Sequence, residues 1–89
     1  MISEETVKII NSAGMHARAT TRFVQTANRF KSDVYVEKDD QEVNGKSIMG
    51  VLLLVAAQGS IIRIRCDGED AQACLKELVD LVNDGFGEG

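Results

Sequence analysis

The stretch Ser60 to Asp67 (SIIRIRCD) alternates strictly: Ile62, Ile64 and Cys66 are separated by Arg63 and Arg65. A two-residue period puts the three apolar side chains on one face of a strand and both guanidinium groups on the other. A strand with one dry and one wet face belongs to a sheet that is covered on one side only. The next segment supplies a cover. Ala71, Cys74, Leu75, Leu78, Val79 and Val82 recur at helical spacing, with Glu69 and Asp70 ahead of them. Acidic residues there suit the positive end of a helix dipole. Gly85 is a natural stop. At 89 residues the chain has room for one core, so a single domain over residues 1–89 is expected. Its last residues, 85–89, are glycine-rich and read as a flexible, frayed tail.

The remaining elements follow from the same two periods. Thr6 to Ile10 is β-branched and reads as a strand, and Asn11 to Gly14 as a polar loop. From Ala17 to Phe30, the residues Phe23, Val24, Ala27 and Phe30 form one helical stripe. Asp33 to Lys38 alternates, Asp39-Asp40 turns, and Gln41 to Asn44 returns as a short strand. Ser47 can cap a short helix that Gly50 weakens. The order is βαββαβα. The expected fold is α+β: a two-layer open-faced sandwich, with a four-stranded, mostly antiparallel sheet covered on one face by three helices. Lys8, Tyr35, Arg63 and Arg65 fall on the open face.

Composition excludes several functions. Ten Lys and Arg against fourteen Asp and Glu leave a net charge of −4, which disfavours nucleic acid as a partner. The longest apolar run, Val51 to Ala57, is seven residues. That is far from the roughly 20 of a membrane helix, so no membrane insertion is expected. The first residues have no apolar leader core, and a cytoplasmic protein is expected. Cys66 and Cys74 lie in apolar patterns and read as reduced core residues. With one histidine and no CxxC pair, no metal site is expected.

His16 is that one histidine, between a glycine-ended loop and a helix beginning near Ala17. The first amides of a helix lack intrahelical partners and carry partial positive charge. An anion on His16 would meet the backbone amides of Ala17 and Arg18, and the Arg18 guanidinium pairs well with phosphate oxygens. Imidazole nitrogen is a nucleophile near neutral pH. These features describe a site for a phosphoryl group held on histidine; the bland alternative is a solvated histidine that happens to begin a helix. Gly45-Lys46-Ser47 lacks the earlier glycine of a phosphate loop, since position 40 is Asp. Ser47 reads either as a plain helix cap or as a phosphate-accepting cap. Ile48, Met49 and Leu52 divide between core and an exposed docking patch. Arg22 reads as solvated charge able to steer an acidic partner.

Gly14-Met15-His16-Ala17-Arg18-Ala19 resembles the phosphohistidine motif of the HPr family, phosphocarriers of the bacterial sugar phosphotransferase system. Asn44-Gly45-Lys46-Ser47-Ile48-Met49-Gly50 resembles the family's second signature, around a regulatory serine, and Gly68-Glu69-Asp70 is also similar. The resemblance covers essentially the whole chain. It implies a carrier rather than an enzyme, with no cofactor. His16 would accept a phosphoryl group on Nδ1 from phosphorylated enzyme I and pass it to an enzyme IIA domain, with Arg18 and the Ala17 amide stabilising it. Ser47 would be the target of HPr kinase/phosphorylase, with a transcriptional regulator as a further partner. Ile48, Met49, Leu52 and Arg22 would dock partners, and a monomer is expected. The alternative is a regulatory paralogue, nitrogen-branch or catabolite-control, that signals through protein binding rather than transport. Two positions depart from the family: Ala19 stands where proline is usual, and Val55 where many members have glycine.

Overall fold

A computed structural model describes residues 1–88. Its elements are β1 (Ile2–Lys8), α1 (Ala17–Ala27), β2 (Asp33–Lys38), β3 (Gln41–Asn44), α2 (Ile48–Leu52), β4 (Ile61–Asp67) and α3 (Ala71–Asn83), followed by a 3-10 turn at Gly85–Gly87. The sheet order is β1-β4-β2-β3, and every neighbouring pair is antiparallel. The βαββαβα order and the open-faced sandwich stand as expected.

β4 is central because it is the strand whose alternation is cleanest. Ile62, Ile64 and Cys66 are buried to 1% exposure or less, with α3 packed against the strand. On the open face Arg65 sits over the Tyr35 ring, 4.3 Å from guanidinium carbon to ring centre, and bonds Glu42 at 3.0 Å. Arg63 pairs with Glu37 on β2. The wet face is thereby tied across three strands by charge and stacking. Cross-strand pairs of this kind contribute about 0.2–1 kcal/mol each. Asp39 and Asp40 make a two-residue hairpin with both φ positive, at 51° and 67°. This is the turn whose twist matches a right-twisted strand pair, and Asp is among the residues that tolerate it.

Four boundaries differ from expectation. β1 runs from Ile2 to Lys8, not from Thr6 to Ile10. Its seven residues pair in unbroken register with β4, from Ile2 opposite Asp67 to Lys8 opposite Ile61. Polar Ser3, Glu4 and Glu5 obscure that strand in the sequence, but an edge strand half-covered by α3 needs little apolar surface. α1 ends at Ala27 rather than Phe30, because Asn28 turns its side-chain amide back to the Val24 carbonyl at 2.9 Å. Asp70 occupies the cap position of α3 without capping it. Its carboxylate instead accepts from the Lys31 and Ser32 amides, both at 2.9 Å, and from the Ser32 hydroxyl. Asp70 thus ties the loop before β2 to the start of α3.

The fourth difference is the tail. Gly85, at φ 62°, does stop α3, but the chain beyond it is packed rather than frayed. Phe86 is fully buried in the core, worth about 1.5–3 kcal/mol of apolar burial. The Arg22 guanidinium donates to the Phe86 carbonyl. Gly89 lies outside the described residues. Cys66 and Cys74 are free, buried thiols. Burial, helped by the neighbouring Cys74, pushes Cys66 up to about 12, so it remains a protonated thiol at neutral pH.

Candidate functional site

The site is built where β1 hands over to α1. After Lys8 the main chain stays pinned, the Ile9 carbonyl accepting the Gly59 amide at 2.7 Å and the Ile9 amide donating to the Ser60 carbonyl at 2.9 Å. The loop then turns at Gly14, φ +65°, where a Cβ would stand 2.6 Å from the Ala56 carbonyl oxygen. Only glycine meets both demands. The next residue, Met15, donates its amide to that same oxygen at 2.8 Å and buries its side chain. His16 therefore starts α1 from a fixed point.

His16 is the N-cap of α1, in extended backbone (φ −75°, ψ −178°). Its Nδ1 accepts the Arg18 amide at 3.2 Å. The Ala17 and Ala19 amides have no backbone or side-chain partner among the described residues. The proline usual at position 19 would thus displace no hydrogen bond here. The Arg18 guanidinium is exposed and makes no ion pair among the described residues. Residues 16–19 at the start of α1 thus supply a ring nitrogen, two unpartnered amides and an exposed guanidinium, groups able to bind phosphoryl oxygens.

The other ring nitrogen has a partner that sequence reasoning missed. His16 Nε2 lies 2.6 Å from Glu88 Oε2, and the buried Asn11 donates Nδ2 to Glu88 Oε1 at 3.0 Å. The Asn11 hydrogen bond, then that from His16, holds the Glu88 carboxyl below its ordinary value. The one available signal was Phe86: a large aromatic between glycines must go somewhere dry, and it carries Glu88 with it. From the sequence, Asn11 reads only as part of a polar loop.

The second motif forms a separate feature. Ser47 caps α2, its Oγ accepting the Gly50 amide at 3.0 Å. α2 buries only Val51; Ile48, Met49 and Leu52 are exposed at 42%, 78% and 38%, so they lie on the surface rather than in the core. Leu53 and Val55 extend the same apolar patch, at 65% and 77%. A hollow of about 250 Å³ joins His16 to Leu52 and Val55. Lys46 donates Nζ to the Phe30 carbonyl at 2.7 Å, so it props up the α1–β2 loop and is not free as a phosphate-loop lysine would be. Arg22, assigned above to docking, is exposed but spends its guanidinium on the tail.

A histidine at a helix start, with an apolar patch beside it on a one-sided sandwich, is an arrangement that suits a carrier of phosphoryl groups between proteins. The family described as "PTS HPr component phosphorylation site" matches residues 3–84, and this chain belongs to the HPr family of the phosphotransferase system. It is 50% identical to the phosphocarrier protein HPr of Neisseria meningitidis, over 97% of each chain. The HPr-like protein Crh of Bacillus subtilis is 41% identical over 91% of this chain and 95% of its own. The crystal structure of HPr-C-His from Thermoanaerobacter tengcongensis superposes with a TM-score of 0.95 at 45% identity, covering 98% of both chains.

Proposed function

We propose that this phosphocarrier holds its phosphoryl group on Nδ1 of His16, taking it from phosphorylated enzyme I and giving it to enzyme IIA domains of sugar permeases. The observation that carries the reading is the placement of the sole histidine as the cap of α1, with Nδ1 turned toward the helix amides. The Ala17 and Ala19 amides and the Arg18 guanidinium stabilise the phosphoryl oxygens. The chain has no substrate of its own and works as a carrier rather than an enzyme, without cofactor, in the cytoplasm. No helix among the described residues is long and apolar enough to cross a membrane.

Partners dock on the apolar patch of α2, through Ile48, Met49 and Leu52, with Leu53 and Val55 beside them. Arg18 offers positive charge to acidic rims. Ser47 is the regulatory site, open to HPr kinase/phosphorylase: phosphate there takes the place of the hydroxyl at the start of α2. It sets a charge near −2 beside the docking patch, which disfavours desolvation under enzyme I. The carrier acts as a monomer.

The likeness to Crh, whose solution structure is called a catabolite repression HPr, supports a second reading. There the Ser47 phosphoprotein binds a transcriptional regulator. His16 itself favours transport, since an idle position needs no nucleophile. Incubation with labelled phosphoenolpyruvate and a cognate enzyme I tests this. Acid-labile, base-stable label on wild type, absent from His16→Ala, is the expected result; label persisting in His16→Ala overturns it.

A further inference from the structure

Resting on His16 as the phosphoryl carrier, we propose that Glu88 is a positioning residue for that histidine. Its carboxylate holds the ring proton on Nε2 and thereby keeps the Nδ1 lone pair free for attack on phosphorus.

A neutral imidazole has one proton, and the bond made by one nitrogen decides the role of the other. Nδ1 faces an N–H donor, the Arg18 amide at 3.2 Å, so it must be bare. Nε2 faces a carboxylate oxygen at 2.6 Å, so it must bear the proton. The two contacts, made by opposite ends of the chain, select the same tautomer. The carboxylate is itself aimed. Asn11, 5% exposed and bonded to the Gly14 carbonyl at 2.8 Å, holds its second oxygen. Buried Phe86 and the bond from Arg22 fix the backbone two residues earlier. Nucleophile, ring and orienting carboxylate follow the logic by which a third group directs a catalytic base.

In the forward step the Nδ1 lone pair forms the nitrogen–phosphorus bond, while the bond from phosphorus to the donor breaks and the donor keeps the electron pair. The ring gains positive charge, its proton stays on Nε2, and Glu88 opposes that charge directly. On discharge the electron pair returns to Nδ1 and the ring is neutral again, with the same proton in place. Among the described residues, the other charges near this pair are Arg18, which acts on Glu88, and Arg22 at the tail backbone; both are on α1.

The test combines histidine-ring ¹⁵N spectra with rapid-quench transfer from phosphorylated enzyme I, on wild type, Glu88→Gln and Glu88→Ala. Wild type is expected to show a bare Nδ1 and a protonated Nε2 protected from exchange. Glu88→Ala is expected to lose that protection and to lower kcat about tenfold at unchanged KM, the scale of one lost charge-assisted hydrogen bond. Glu88→Gln keeps an acceptor but no charge, so its spectrum should stay near wild type and its kcat fall between the two. An unchanged kcat in Glu88→Ala, or a loss confined to KM, overturns the proposal. Wild type that takes no label on His16 overturns the carrier reading instead, so the two failures are distinct.

Discussion

Asp70 carries more structure than any other single carboxylate outside the site. The Ser32 hydroxyl and the Lys31 and Ser32 amides hold it at about 2, below the ordinary 3.8. A carboxyl depressed in the folded state stabilises the fold fully above its unfolded value, and that contribution is lost as pH falls through the folded one. Melting temperature should therefore drop between pH 4 and pH 2. Asp70→Asn should melt lower than wild type at pH 7, and the gap should close across that window. A gap that stays constant down to pH 2 would show that Asp70 does not act through its charge. In the sequence, Glu69 and Asp70 read as a helix-start signal. That signal was legible, but its use was not: sequence spacing cannot reveal that the carboxylate turns away from its own helix toward a loop 38 residues earlier.

At the scale of elements, what the sequence disclosed was set by period. β4, α3 and the β2–β3 hairpin each bury one regular face, and each lies where alternation or helical spacing puts it. The start of β1 and the tail escaped for opposite reasons. β1 is held by backbone pairing that leaves no pattern in Ser3 to Glu5, and Phe86 is one apolar residue with no period to join. Both departures from family habit bear on the site loops. Val55, just beyond α2, has φ 49° with its side chain 77% exposed. A β-branched residue there suffers the left-handed clash of about 1–2 kcal/mol, and gains no burial in return. Val55→Gly should stabilise the fold by about 1 kcal/mol after the entropic cost of glycine, roughly 5 °C in melting temperature. It should also weaken partner docking, because Val55 belongs to the exposed patch. A melting point that falls in Val55→Gly would show that the side chain packs in solution.

As a whole molecule, the protein sorts its surfaces. One sheet face is dry beneath three helices, the other is bound up in ion pairs, and the apolar patch is concentrated beside the single histidine. The two ends of the chain are sorted as well. Met1 lies at the Gly68 end of the sheet, where its carbonyl accepts the Gly68 amide at 2.9 Å. β1 then runs seven residues, about 20 Å, toward the loop that leads to His16. The described tail, by contrast, finishes in contact with the His16 ring. Whatever is joined to the far side of Glu88 is therefore attached one residue from the side chain that touches His16. For the experimenter this makes the choice of fusion end consequential. An affinity tag or fluorescent partner at the amino end should leave transfer from enzyme I at the wild-type rate. The same cargo at the carboxyl end should slow it without changing the melting temperature. Equal rates for the two fusions would mean that the tail lifts away from His16 at no cost to function.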